Sequence, residues 1–374
     1  MRLHALQYLR AAAALAVVYS HAAGQVPEFA RHLPHTGAFG VDVFFVISGF
    51  IMVWIARPED TPGRFVANRV RRVVPLYWFF TLLMAAILLL APSLFRNSVF
   101  DVRALVLSLG FWPHESGAHP GHLWPLVAPG WSLNYEMYFY ALFALSLLAP
   151  ARWRVPVAIA AIALVWALAH ALPGDAPLLV FHREAVVFEF ALGMLLAVAW
   201  RRGLALSPAA GAASLALGTA WLLAGPPMPH FLSLSLPSLL VVAGTLAIAA
   251  PRVGWATLLG DASYALYLSH IFTLGVAGRL IGPPVRAALG EGAAAAWAFA
   301  VLACLLCTAV GVVVHLVVDG WLLRAERLHG LRPRWLGARA PGRLQGGIEG
   351  PAPVATPGTP AEPGAAKDPA TIAR

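Results

Sequence analysis

The sequence predicts an all-α fold, a polytopic membrane helix bundle of about ten transmembrane helices. Two observations lead to this prediction. Of the 374 residues, 60% are hydrophobic and only 11% are charged, whereas a soluble domain is about 25% charged. Apolar segments of about 20 residues, the length that crosses the hydrocarbon core of a bilayer, also recur along the chain.

The predicted spans lie near residues 5–23, 37–56, 73–91, 131–149, 155–172, 184–200, 208–225, 233–250, 260–282 and 296–323. An apolar run near 101–113 is too short to cross a bilayer, so we expect a surface or re-entrant helix there. The first span has the basic start and small-residue end of a signal peptide. Nine further spans favour an uncleaved first helix instead.

The arginines of the loops indicate the orientation. With a cytoplasmic amino terminus, thirteen of them face the cytoplasm and six face outward, as the positive-inside rule favours. The outward set is Arg31, Arg96, Arg103, Arg183, Arg279 and Arg286. We therefore expect both termini in the cytoplasm. The net charge of +9 then has a topological explanation, and no nucleic-acid partner is expected.

Residues 339–374 have a different composition, rich in Pro, Ala and Gly with few bulky apolar side chains. Such a segment cannot bury enough surface to fold, so we predict a disordered cytoplasmic tail. Cys304 and Cys307 lie three residues apart in the last span, where buried apolar thiols are far commoner than a redox or metal pair. No metal site is predicted.

Two ionisable side chains interrupt the apolar stretch "LRAAAALAVVYSHAAG" of the first span. The eleven positions from Arg10 to His21 cover about 16 Å of helix and return to within about 20° of the same face. One reading is that Arg10 is a topology anchor and His21 an interfacial residue. The other is that both face a polar interior, because a charge at the bilayer centre is costly unless it is paired.

The second and third spans add candidate partners for these groups. Asp42, in "GVDVFFVISGFIM" with Ser48, lies near the same outer end as His21, and a His–Asp pair would fix the imidazole tautomer. Arg69 and Arg72 in "RVRRVVPLYW" share one helical face. They are either cytoplasmic anchors or an anion site, since paired guanidiniums bind phosphates well.

Later spans carry further polar groups. Ser132 and Glu136 lie four residues apart in "GWSLNYEMYFY", and an intramembrane carboxylate is a functional-site hypothesis by default. In "GDASYALYLSHIF", Ser263, Tyr267 and His270 form a polar stripe that could equally be hydrogen-bonding contact between helices. His315 and Asp319, at the end of the last span, are also four residues apart.

Five of these segments, "LRAAAALAVVYSHA", "GVDVFFVISGFIM", "RVRRVVPLYW", "WSLNYEMYFY" and "GDASYALYLSHIF", occur in an order and spacing that resembles the membrane acyltransferase-3 family. The resemblance covers roughly residues 1–325, which are expected to form one acyltransferase-3-like transmembrane domain. It is greatest to exopolysaccharide O-acetyltransferases of the succinoglycan-modifying type. One departure is Asp319, followed by Gly and Trp, where relatives often have Glu two residues before Pro.

The resemblance implies an enzyme of the bacterial inner membrane that takes an acyl group, usually acetyl, from cytoplasmic acyl-CoA. The implied acceptor is a hydroxyl of an extracytoplasmic glycan or a lipid-linked oligosaccharide, and membrane lipid surrounds the protein. Acetyl-CoA or another acyl-CoA is expected as co-substrate, without a metal. No esterase-like domain is expected after the bundle.

Residue roles follow by motif and by chemistry. Arg10, Arg69 and Arg72 are expected to bind acyl-CoA, and His21, Asp42 and Glu136 to be catalytic. The remaining candidates, expected to contact the acceptor, are Ser132, Tyr140, Tyr267 and His270. His21 could act as a general base toward a hydroxyl or form an acyl-histidine, and both routes are open.

A different class of function uses the same buried polar residues. A transporter or flippase for a glycan or lipid intermediate would line its pathway with them. Transporters of that kind often contain inverted repeats with broken helices. No convincing repeat occurs in this sequence, so the motifs favour the enzyme.

Overall fold

The computed structural model describes residues 4–94 and 100–319, the side chain of Asp319 excepted. The side chain of Asp319 and the predicted 339–374 tail therefore lie outside the described residues. Within them the chain forms helices and loops, with no strand. The prediction of an all-α fold is confirmed for this part of the chain.

The first half of the chain forms α1 (His4–Ala23), α2 (Pro27–Ala30), α3 (Gly40–Ile55), α4 (Pro62–Leu90), α5 (Val102–Leu109), α6 (Trp131–Ser146) and α7 (Arg154–Ala171). The second half forms α8 (Pro177–Arg183), α9 (Val187–Arg201), α10 (Pro208–Ala224), α11 (Leu236–Ala247), α12 (Gly254–Leu280), α13 (Gly282–Leu289) and α14 (Ala293–Val314). Each predicted span overlaps one of these helices. The short helices α2, α8 and α13 were not predicted.

Several helices are long and apolar enough to cross a membrane. Among the described residues, three meet that test alone: Pro62–Leu90, Ala151–Ala171 and Ala293–Val318. The pair α12 and α13, bent by 43° at its junction, would form a fourth. Three shorter apolar helices are Gly40–Ile55, Pro208–Ala224 and Phe231–Ala247. The count of ten spans remains a prediction.

The outer surface of the long helices is apolar. Leu82 and Leu89 on α4 are 51% and 60% exposed, and Leu305 on α14 is 62% exposed. Large exposed apolar surface of this extent marks a protein or membrane contact in a native chain. Together with the span-length helices, this surface fits a membrane protein.

Helix α4 positions the arginine pair. Thr61 caps its amino terminus by accepting a hydrogen bond from the Arg64 backbone N–H at 3.4 Å, and Pro62 occupies the first helical position, as is common at helix starts. The helix then continues through Pro75 to Leu90. Arg69 and Arg72 therefore lie on the same rigid helix as the predicted third span.

The bundle is built by close pairs of helices. Helix α1 packs against α3 and α12, α12 against α14, α3 against α9, and α10 against α11. Glycines permit the α3–α9 contact, since a Cβ atom at Gly49 or Gly193 would overlap the backbone of the other helix. Helices α1, α3 and α12, together with α4 and α6, surround the main cavity.

Candidate active site

A cavity of about 320 Å³ lies among α1, α3, α4, α6 and α12. Its lining includes both Val41 and Ile55 of α3, so it follows that helix for roughly 20 Å at the α-helical rise. The apolar part of the wall comes mainly from α3. The polar lining residues are Gln7, Arg10, Ser48, Arg69, Arg72, Ser132, Glu136, Tyr140, Ser263, Tyr264 and Tyr267.

Arg10 contributes a buried cation to the wall. Only 8% of its surface is exposed, and its Nη1 donates a hydrogen bond to Gln7 Oε1 at 3.0 Å. Gln7 Nε2 in turn donates to Asp261 Oδ1 on α12 at 3.0 Å. This hydrogen-bond chain orients the guanidinium toward the cavity instead of lipid.

The predicted arginine pair also reaches the cavity. Arg69 lies among aromatic rings, with its guanidinium carbon 5.9 Å from the Phe65 ring centroid and 6.0 Å from that of Tyr140. Its buried Nε has no hydrogen-bond partner among the described residues. Arg72 is exposed and lies one turn further along α4. Both guanidiniums can therefore meet an anion that enters the cavity.

Glu136 of α6 also lines the cavity. Ser48 of α3 donates a hydrogen bond to Glu136 Oε1 at 2.6 Å, so the second predicted span holds the carboxylate of the fourth. Ser132, one turn before Glu136, also lines the cavity. The prediction that both side chains share one face of the helix agrees with this placement.

Ser132 and Tyr267 meet at the end of the cavity near the start of α6. Their hydroxyl oxygens are 2.8 Å apart. Tyr267 donates to the Pro129 carbonyl at 2.8 Å, and Ser132 lies 3.1 Å from that oxygen. The two hydroxyls thus form a fixed polar edge on which a substrate hydroxyl can be oriented.

His21 does not line the cavity. Its ring meets that of His270 edge to face, with centroids 4.9 Å apart, and His270 lies one turn beyond Tyr267 on α12. Nδ1 of His21 is 2.9 Å from the Val17 carbonyl oxygen. Because a carbonyl only accepts, Nδ1 carries the proton and the Nε2 lone pair is free.

His270 adopts the same tautomer. Its Nδ1 is 2.6 Å from the Tyr267 carbonyl oxygen, so Nδ1 is again the donor. Its Nε2 is buried and has no partner among the described residues. Tyr267 and His270 therefore connect the end of the cavity to His21 through one layer of side chains.

The predicted pairing of Asp42 with His21 is wrong. Asp42 faces α9 and the start of α11, where His230 Nε2 lies 3.3 Å from Asp42 Oδ1 and 3.0 Å from Glu189 Oε1. Hydrogen bonds to Asp42 and Glu189 raise the pKa of His230 to about 10. Asp42 lies outside the cavity lining, unlike its neighbours Val41 and Phe44.

Glu189 and His230 were missed in the sequence. Glu189 carries the signal that identified Glu136, a carboxylate within an apolar helix, and could have been found by the same rule. His230 lies in a proline-containing loop between two spans, where no periodicity links it to Asp42. Only the packing of three helices brings these groups together.

A protein-family model described as an acyltransferase domain matches residues 3–316. The chain belongs to this acyltransferase family. The resemblance to the acyltransferase-3 family is thus confirmed, and the chain is an acyltransferase.

Several known proteins are similar to this chain along most of their length. The exopolysaccharide production protein ExoZ of Rhizobium meliloti is 39% identical over 302 residues, which cover 78% of this chain and 91% of ExoZ. The acyltransferase MdmB of Streptomyces mycarofaciens is 28% identical over 87% of this chain and 92% of its own length. A putative membrane-bound transacylase, BcsY of Komagataeibacter xylinus, is 29% identical over 68% of this chain and 71% of BcsY. No solved structure matches the chain.

Proposed function

We propose that this acyltransferase of the membrane moves an acetyl group from cytoplasmic acetyl-CoA to a hydroxyl of an exopolysaccharide or its lipid-linked precursor. One observation supports this most directly. The same elongated cavity has three guanidiniums in its wall and, at the end near the start of α6, the hydroxyl pair of Ser132 and Tyr267. The arrangement suits a long anionic donor whose reactive end must meet an alcohol.

The arginines are suited to the phosphate groups of the donor. Guanidiniums bind phosphate oxygens through paired hydrogen bonds. Arg72 is exposed and Arg69 half-buried, so phosphates can reach them from solvent while the uncharged arm continues along the apolar wall of α3. Arg10 supplies a third, buried cation beside that path. Other acyl-CoA donors share the same phosphates and would bind by the same groups.

The acceptor end is suited to proton transfer. In our proposal, Nε2 of His21 takes the proton of the acceptor hydroxyl, whose oxygen forms a bond to the thioester carbonyl carbon. The carbon–sulfur bond then breaks and the CoA thiolate leaves, taking up the proton that His21 received, so the imidazole returns to its neutral form. Ser132 and Tyr267 form the end of the cavity, one layer of side chains from His21, so in our proposal Tyr267 and His270 shift to let the thioester and the acceptor hydroxyl meet at Nε2. Glu136, held by Ser48, sets the charge of the cavity wall.

Relatives narrow the acceptor and the location. ExoZ is named for exopolysaccharide production and BcsY as a putative membrane-bound transacylase, which supports a glycan acceptor and placement in a membrane. We propose that this is the bacterial inner membrane. We further propose that both termini are cytoplasmic, as the arginine distribution predicts, so that the Arg69–Arg72 end faces the acetyl-CoA pool.

Inverted membrane vesicles test the proposal. Vesicles containing the protein and a polysaccharide precursor from the producing strain are given acetyl-CoA labelled in the acetyl group. We expect label in alkali-labile ester linkage to the glycan, and none with vesicles lacking the protein. Movement of glycan across the membrane without any acetyl ester would contradict the proposal and support a flippase.

The two chemical routes differ in one measurement. An acyl-histidine forms without acceptor, so labelled acetyl-CoA alone would label the protein itself and release CoA in a burst. The general-base route that we propose gives no labelled protein and no CoA release until acceptor is added. Stoichiometric labelling that disappears in His21→Ala would establish the covalent route instead.

A further inference from the structure

A second group of ionisable side chains lies beside the cavity, at the start of three packed helices. Asp42 is in the first turn of α3, Glu189 in the first turn of α9, and His230 directly precedes the helical turn Phe231–Ser235 that leads into α11. Each of the three side chains offers one possible metal-ligand atom, a histidine nitrogen or a carboxylate oxygen, and these three atoms all lie within 4.8 Å of one another. The function proposed above does not use this cluster.

The cluster places two buried carboxylates beside one imidazole. Asp42 and Glu189 are 6% and 0% exposed, and His230 is the one basic side chain that contacts both carboxylates among the described residues. Among the described residues, no second cationic nitrogen lies within 4.0 Å of either carboxylate. Burying an unpaired charge is strongly unfavourable, so a further cation or proton is needed to balance it.

Glu189 points independently to a missing partner. Its Oε1 accepts hydrogen bonds from Ser235 at 2.9 Å and faces His230. Its Oε2 is buried and has no hydrogen-bond partner among the described residues. A fully buried carboxylate oxygen without a donor, within a set of nitrogen and oxygen ligands, is a free ligand atom.

We propose that Asp42, Glu189 and His230 bind one divalent transition-metal ion, with Zn²⁺ as the best fit. Zinc takes nitrogen and oxygen ligands at about 2.0–2.2 Å in a tetrahedron, which places neighbouring ligand atoms roughly 3.3–3.6 Å apart. The separation of His230 Nε2 from Asp42 Oδ1, 3.3 Å, lies at the lower end of this range, and its separation from Glu189 Oε1, 3.0 Å, is shorter, so a bound ion would move the two side chains slightly apart. Mg²⁺ and Ca²⁺ prefer all-oxygen sites, so the imidazole favours zinc.

The surroundings fit such a site. The Ser235 hydroxyl orients the Glu189 carboxylate, as hydrogen-bond partners of metal ligands commonly do. The His230 side chain is 34% exposed, which leaves an entry path and room for a water as fourth ligand.

The site would fix the start of α3 relative to α9 and α11. Val41 and Phe44, on either side of Asp42, line the cavity, so an ion that holds Asp42 also holds this part of the cavity wall. The role is structural, and it does not depend on which acyl group or acceptor the enzyme uses.

Metal analysis of the purified protein tests the proposal. The protein is prepared in detergent with an affinity tag that lacks histidine, stripped with a chelator and desalted. It is then titrated with ZnCl₂ against a zinc indicator, with MgCl₂ in parallel. We expect one zinc ion per chain, retained on gel filtration, and a higher melting temperature with zinc than with magnesium.

Matched variants separate this site from surface binding. Changes around metal ligands already cost about 10–100-fold in affinity, so Glu189→Gln and His230→Ala are each expected to weaken zinc binding at least tenfold. Glu184→Gln and His170→Ala are the matched controls, because they alter exposed side chains outside the cluster and should leave zinc binding unchanged.

Three results would overturn the proposal. They are no bound zinc in the wild type, zinc binding that survives both ligand variants, and equal stabilisation by magnesium. Wild-type measurements decide the first and third even if a ligand variant fails to fold. The absence of zinc would indicate that the two carboxylates share a proton instead. Acetyl transfer can persist in any of these cases, so failure here is distinguishable from failure of the proposed function.

Discussion

The most informative contacts at the scale of single residues are those of the two neighbouring histidines. Both His21 and His270 donate from Nδ1 to a backbone carbonyl one turn earlier or less, which leaves both Nε2 atoms as acceptors. Only His21 is exposed, whereas His270 is fully buried. Of the two, His21 is therefore the base that an acceptor hydroxyl can reach, and His270 supports its position.

We expect His21→Ala to reduce acetyl transfer by about 10²–10⁴-fold, the range of a lost general base. Because His21 lies outside the cavity lining, binding of acetyl-CoA should be unchanged. Single-turnover transfer and equilibrium binding of labelled acetyl-CoA, measured on the same detergent preparation, check both expectations. His35→Ala, an exposed histidine of the following loop, is the control. Near-normal transfer in His21→Ala would exclude the proposed base.

The arginine pair should act on donor binding. Arg69→Ala and Arg72→Ala each remove a cation from the cavity wall, so we expect the KM for acetyl-CoA to rise about tenfold or more, since a charged hydrogen bond contributes roughly 1.5–3 kcal/mol. Arg71→Ala is the matched control, because Arg71 is on the same turn of α4 but does not line the cavity. A wild-type KM for acetyl-CoA in all three variants would indicate that Arg69 and Arg72 serve only as topology anchors.

Sequence periodicity could predict contacts within a helix but not between helices. Arg69 with Arg72, and Ser132 with Glu136, share a face because three or four residues return to the same side of a helix. The position of both residues near the outer end of their spans predicts that His21 is the partner of Asp42. The actual partners of Asp42 are fixed by a close contact of α3 with α9, which depends on two glycines 144 positions apart in the chain.

At the scale of elements, α3 connects both ionisable clusters. One face of α3 lines the cavity, and Ser48 on that face donates a hydrogen bond to Glu136. Asp42, in the first turn of α3, lies beside Glu189 and His230. The position of α3 depends on the contact at Gly49 and Gly193, where the backbones of α3 and α9 leave no room for a side chain. Small residues are the usual means of close helix approach in membranes.

We therefore expect Gly193→Ala to destabilise the protein, because its methyl group would overlap the Val46 carbonyl of α3. Overpacking of a tight interface costs about 1–3 kcal/mol, and the displaced α3 should also lower acetyl transfer. Thermal unfolding in detergent provides the measurement. Gly63→Ala is the control, since nothing lies within 4 Å of a Cβ atom at Gly63. An unchanged melting temperature in Gly193→Ala would show that the interface can adjust.

At the scale of the whole molecule, the direction of catalysis depends on which end of the cavity faces the cytoplasm. Arg69 and Arg72 lie near the loop that joins α3 and α4, whereas Ser132 follows the long connection between α5 and α6. The arginine distribution predicts that the first of these is cytoplasmic and the second external. Donor and acceptor would then approach from opposite sides of the membrane.

Cysteine labelling tests this orientation. Cys304 and Cys307 are first replaced by Ala, and a single cysteine is then introduced by Gly63→Cys or Gly117→Cys, two positions with open space around a Cβ atom. In intact spheroplasts, a membrane-impermeant maleimide should label Gly117→Cys and leave Gly63→Cys unlabelled until the membrane is permeabilised. The reverse result would place the Arg69–Arg72 end outside. Cytoplasmic acetyl-CoA could then not reach those arginines from solvent, so the proposed donor site would be wrong even if the enzyme transfers acetyl groups.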